Sequence, residues 1–188
     1  MEATSGMMAA THSTDAGDRG IGRHVATTLT YEQEFPADPT TVMAMLRDPA
    51  YVQEKGERTG SHDITVDVAE MADGGVVITC TRSMPANVPS YAAPFVGDTI
   101  TITETQTWSA PAADGSTSAA VTVEFNSPLA YSGTITLSPG GAGALALNEG
   151  SFKASVPFVG GKVERVAAEM TEKYLAKETK VGAEWLAR

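Results

Sequence analysis

Val159, Val163, Val166, Met170 and Tyr174 recur at spacings of three and four, and Val181 and Trp185 resume the stripe after an interruption near Lys177. This is the period of an α-helix with one apolar side. Glu169–Lys173 and Glu184–Arg188 stand as i,i+4 pairs on or beside its polar side. At the helical rise such a segment is roughly 40 Å long, which is more apolar length than a hairpin can cover. The helix needs a whole curved sheet beneath it, and the preceding chain must supply that sheet.

The preceding chain reads that way. His24–Phe35 alternates with period two, placing Val25, Thr27, Leu29, Tyr31, Gln33 and Phe35 on one face. Asp38-Pro39 gives a helix N-cap followed by proline at the first position, and Val42, Met43 and Leu46 suit a short helix that ends at Asp48-Pro49. A second short helix, Ala50–Glu57, stops near Gly56 or Gly60. Turn-linked strands then follow in series: Ser61–Met71, Val76–Met84 after an Asp-Gly hairpin signal, Thr99–Trp108, Ala119–Asn126, Leu129–Leu137 and Ala144–Val156. Short strands at this spacing predict an antiparallel meander. The class is α+β.

The chain of 188 residues carries a net charge of −10 and a single cysteine, Cys80. That acidity argues against nucleic acid and against an anionic membrane surface as partners. One cysteine allows no intrachain disulfide, and no apolar run approaches the ~20 residues of a membrane span. Residues 1–23 are small and polar without the apolar core of a secretory signal, so they read as a disordered leader to a single domain at 24–188 in a cytoplasmic protein.

The tetrapeptide PFVG occurs twice, at Pro94–Gly97 before a strand and at Pro157–Gly160 before the long helix. In both places proline ends a strand path and glycine permits the turn. The flanks share nothing else, so these are two similar corners and not a duplication.

The order β-α-α-β6-α over His24–Arg188 resembles the helix-grip arrangement of the START/Bet v 1-like (SRPBCC) superfamily. Two stretches, SMPANVPSYAAPFVGDTITITETQTW and VPFVGGKVERVAAEMTEKYLAKETKVGAEWL, look like a START-like branch of unknown function common in actinobacteria. They carry that branch's "P-x-x-x-P…GD" crossing and its "P-x-x-G-G-K-x-E" start of the final helix. The resemblance implies a bent sheet of about seven strands gripping the C-terminal helix, two short helices after the first strand, and a hydrophobic cavity between sheet and helix. It implies no catalytic residue, metal or cofactor.

Residue chemistry adds little that is catalytic. His12, His24 and His62 are scattered, and adjacent His62 and Asp63 on a strand should face opposite sides. SPGGAGA lacks the lysine of a phosphate loop, and no G-x-S-x-G elbow is present. One polar set stands out: Arg82, Glu104 and Gln106 share faces with apolar neighbours on two strands that should pair. Charges there must be paired or lie in a wet cavity. They form either a handle for a ligand headgroup or a structural ion pair near the strand ends. The crossing PANVPSYAAPFVG, with Val88, Tyr91 and Phe95, is either a cavity wall or lid, or an ordered connector. Trp108 and Trp185 suit core or rim packing.

Parity nominates Leu29, Tyr31, Ile78, Arg82, Ile102, Glu104, Val123, Ile135, Met170 and Tyr174 as the ligand-binding set. The expected function is non-enzymatic binding or carriage of an apolar small molecule: a lipid, sterol, polyketide or similar. Two rivals stand beside it. One is a polyketide-cyclase-like enzyme using Arg82, Glu104 and Tyr31 or Tyr91. The other is a protein-interaction module whose core is filled.

Overall fold

The computed structural model describes residues 26–86, 88–90, 93–141 and 143–188. The leader, His12, His24, Val25 and Tyr91 lie outside them. Seven strands form one antiparallel sheet: β1 (Thr27–Phe35), β2 (His62–Glu70), β3 (Val76–Pro85), β4 (Thr99–Trp108), β5 (Thr117–Phe125), β6 (Leu129–Gly140) and β7 (Gly143–Ala154). Their order is β1-β7-β6-β5-β4-β3-β2, so six strands run as a meander and β1 closes onto the last of them. The helices α1 (Pro39–Leu46) and α2 (Pro49–Thr59) fill the connection from β1 to β2. A single-turn helix, α3 (Ala93–Val96), interrupts the crossing from β3 to β4, and α4 (Gly160–Leu186) is the long C-terminal helix.

Local chemistry accounts for most boundaries. Asp38 caps α1 by accepting from the Thr41 N–H, and Asp48 caps α2 from the Ala50 N–H. A proline follows each cap, where its missing donor costs nothing. Gly60 closes α2 at a φ of 101°, which a side chain would resist. The β6–β7 hairpin is tight: β6 runs on to Gly140, β7 starts at Gly143, and Pro139 pairs with Ala144. That is possible because β5 stops opposite Leu137, leaving Pro139 with a single neighbouring strand.

The two PFVG corners differ in detail. Gly97 takes the left-handed φ of 73° after α3, as a glycine corner should. In the second copy Phe158 takes it instead, at 64°, with its side chain fully in solvent; nothing in the structure explains that choice. His62 and Asp63 also depart from expectation. Asp63 has a φ of 51°, strand register shifts there, and the carboxylate turns back to meet the His62 ring at 2.9 Å.

Two apolar clusters flank the middle of the sheet. The larger joins α1 and α2 to the sheet through Phe35, Val42, Met45, Tyr51, Trp108 and Leu137, and reaches Val181 on α4. The smaller gathers Leu29, Phe152 and Ala168 near the start of α4. Of the apolar stripe legible in the sequence, only Val181 is among the positions of α4 that pack most tightly. The deeply buried positions of the helix include Gly160, Glu164, Ala168, Glu178, Val181 and Gly182, whereas Val163, Val166 and Tyr174 are only half-buried and Met170 is 36% exposed.

Candidate ligand-binding cavity

Those half-buried apolar residues face an open space. A cavity of about 640 Å³ lies between α4 and the sheet, within the range of small-molecule sites. Leu29, Phe152, Ile102, Val123 and Ile135 form its sheet wall, and Val163, Val166, Met170 and Tyr174 its helix wall. Val88 and Val96 of the β3–β4 crossing also line it, so that segment contributes to the wall.

Eight of the ten residues nominated from parity stand on this cavity: Leu29, Arg82, Ile102, Glu104, Val123, Ile135, Met170 and Tyr174. Tyr31 and Ile78 do not. Tyr31 is half-buried and off the wall, although Leu29 and Gln33 on either side of it on the same face of β1 line the cavity. Ile78 belongs to the core beneath α2, where it lines a separate void of about 20 Å³, room for roughly one water. Parity places a side chain on a face; it does not say whether a helix covers that stretch of the face.

Arg82 and Glu104 form a polar floor. On paired strands β3 and β4, Arg82 Nη2 donates to Glu104 Oε2 at 3.0 Å, and both side chains are largely buried. The chain of bonds continues outward from Glu104: Gln106 Nε2 donates to Glu104 Oε1 at 2.6 Å, and the Trp108 indole donates to Gln106 Oε1 at 2.9 Å. Burial by itself would raise the Glu104 pKa, but the Arg82 and Lys55 charges and these hydrogen bonds outweigh it and hold the carboxyl at about 2. Burial drives the Tyr174 hydroxyl the other way, up to about 12, with Glu178 adding to the effect.

A second ion pair had no signal in the sequence. Lys55 on α2 meets Glu178 on α4 at 2.8 Å, with both side chains about nine-tenths buried. Burial opposes the Lys55 charge, and Glu178 more than restores it, so the ammonium titrates above its ordinary range. The partners are too distant in the chain for any periodicity to link them. Glu164 was hidden in another way: it is the glutamate of the P-x-x-G-G-K-x-E stretch, and it is completely buried. Its carboxylate accepts from the Thr27 N–H and hydroxyl on β1 and from the Ala154 N–H on β7. Gln33 adds a further tie, donating from Nε2 to the Leu175 carbonyl of α4 at 3.2 Å.

A sheet bent around a long C-terminal helix, with two short helices after the first strand, is the START/Bet v 1-like helix-grip fold. Solved structures carry the likeness. The protein TTHA0849 from Thermus thermophilus is similar at a TM-score of 0.61 and 16% identity, covering 86% of this chain and 97% of its own. A START superfamily protein from Mycobacterium smegmatis is similar at a TM-score of 0.54 and 16% identity, over 85% and 98% of the two chains. The allergen Ara h 8.0201 is similar at 0.50 and 13% identity, over 87% and 99%. By sequence the chain belongs to the family described as a protein of unknown function, DUF2505, which matches residues 30–186. No curated protein matches it in sequence. Among the described residues no helix is long and apolar enough to cross a membrane.

Proposed function

We propose that the protein binds and carries an apolar small molecule in the cavity between α4 and the sheet. The observation that carries this reading is the helix wall: Val163, Val166, Met170 and Tyr174 are apolar yet incompletely buried because they face about 640 Å³ of space. Apolar side chains left facing an empty volume forgo dispersion contacts that a ligand would restore. The interaction-module reading asks for a filled core, and a cavity of this size speaks against it. The acid–base reading asks a group to exchange protons near neutral pH. Glu104, held at about 2, has no proton to give there, and Tyr31 stands off the wall. The buried, unpaired thiol of Cys80 supports placing the protein in a reducing compartment such as the cytoplasm.

The test is native against denaturing mass spectrometry on protein purified gently from its own host, with solvent extraction of whatever is released. An apolar adduct that recurs between preparations is expected. A clean apo mass, together with failure of added apolar compounds to bind, would contradict the reading.

A further inference from the structure

We propose that the polar end of this ligand is a neutral hydrogen-bond acceptor, a ketone, aldehyde or ester carbonyl, received by Arg82 and Tyr174. The inference rests on the cavity being a ligand site and adds the chemistry of the head.

Among the described residues three buried side-chain polar atoms have no hydrogen-bond partner: Ser61 Oγ, Arg82 Nε and Tyr174 Oη. Ser61 is not on the cavity wall, whereas Arg82 and Tyr174 both are. They also touch each other, with the guanidinium carbon 5.2 Å from the centre of the Tyr174 ring. Two unpaired donors therefore belong to adjoining side chains at the polar floor of an otherwise apolar cavity. Burying a donor without a partner is unfavourable, so each such atom calls for a partner. A carbonyl oxygen has two lone pairs, one for each donor. Both atoms are buried, so an acceptor engages them as the Tyr174 ring shifts.

The charge of the ligand follows from the same set. Lys55 pairs with Glu178 and Arg82 with Glu104, so the four buried charges at this end sum to zero. A ligand carboxylate would arrive as an uncompensated anion beside two others, and an ammonium as a third cation; either costs desolvation without a counter-charge. Glu104 already accepts from Arg82 on one oxygen and from Gln106 on the other, so the atoms still without a partner on this floor are donors. A neutral acceptor answers both the charge balance and the two unpartnered donors.

The experiment is competition binding, read by native mass spectrometry, among three probes of equal chain length: a straight-chain alkane, its methyl ketone and its fatty acid. The ketone is expected to bind about tenfold tighter than either of the others, the size of one hydrogen bond to a charged donor. Tyr174→Phe keeps the ring and removes the hydroxyl; it should cut ketone affinity by about fivefold and leave the alkane unchanged. Arg82→Lys, which keeps the charge opposite Glu104 but lacks the Nε donor, should act in the same direction. Should that variant unfold, Tyr174→Phe decides alone. Preference for the fatty acid, lost when the exposed mouth residues Lys173 and Lys177 are changed to glutamine, would overturn the proposal. So would a ketone preference that survives Tyr174→Phe, or equal affinity for all three probes. Equal affinity sinks the head-group assignment alone; failure of every probe, alkane included, sinks the cavity reading with it.

Discussion

The two ends of α4 are held by different kinds of bond. At the start, Glu164 reaches into the sheet and gathers two backbone N–H groups and a hydroxyl from β1 and β7. At the far end, Lys55 and Glu178 join side chain to side chain, and around them Val181 and Gly182 pack against Phe35, Met45 and Tyr51. Both anchors are buried carboxylates, yet they are not interchangeable in energy. An ion pair can be removed whole, and well-packed apolar side chains often replace it without loss. A carboxylate that satisfies backbone donors cannot, because those donors stay behind. Between the anchors, Met170 to Lys177 spans the cavity with open space beneath its apolar side.

Breaking the far anchor on one side should have the largest effect. Lys55→Met leaves Glu178 as a buried lone anion and should cost about 4 kcal/mol in chemical denaturation. The double change Lys55→Met with Glu178→Leu should recover most of that loss, which is the sharpest contrast with the other end. Glu164→Ala should cost about 3 kcal/mol, since it strands the Thr27 and Ala154 donors, and no second substitution in a side chain can return it. If a partner substitution does rescue Glu164→Ala, the distinction between the two anchors fails.

Smaller changes refine the same picture. Gly182→Ala gains helix propensity but would put a methyl 2.6 Å from the Phe35 ring, 3.1 Å from the Tyr51 hydroxyl and 3.3 Å from Met45. Overpacking should win, for a net loss of about 1–2 kcal/mol in thermal unfolding. In the bridging stretch, Met170→Ala should cost less than about 1 kcal/mol, because the side chain leaves no new cavity where one already exists. The pH dependence concerns the polar floor. Glu104 has a folded pKa of about 2 against an ordinary 4.5, a depressed value. Its contribution is therefore complete above about pH 5 and is lost as pH falls toward 2. In Glu104→Gln that acid-side loss should shrink, measured as denaturation midpoints across this range.

Strand order, helix order and most inward faces were legible because alternation and caps are local. Asp38, the Asp-Gly hairpin signal at Asp73-Gly74 and the stripe from Val163 to Tyr174 each announce themselves within a few residues. The anchors were not, for reasons that are equally physical. Lys55 lies in the polar run QEKGER, and only folding brings Glu178 to it. Glu164 interrupts an apolar pattern at a position that periodicity assigns to no core, and its partners are mostly backbone groups, which leave no mark on sequence. The stripe itself misled in one respect. Apolar periodicity identified the side of α4 that faces the sheet, but the most buried positions are Gly160, Glu164, Ala168, Glu178, Val181 and Gly182, with the Phe35, Tyr51 and Met45 side chains packed over Gly182. From Val163 to Tyr174 the large apolar residues of this helix mark the cavity.

Hydrogen exchange along α4, alone and with the straight-chain alkane bound, tests this arrangement most directly. Local opening is cheapest where few apolar contacts are buried. Slow exchange is expected near Glu164–Ala168 and Glu178–Gly182, with faster exchange from Met170 to Lys177 and slowing confined to that middle stretch on addition of alkane. Uniform protection along α4 that the alkane leaves unchanged would contradict a helix held at its ends over an open, ligand-accepting cavity.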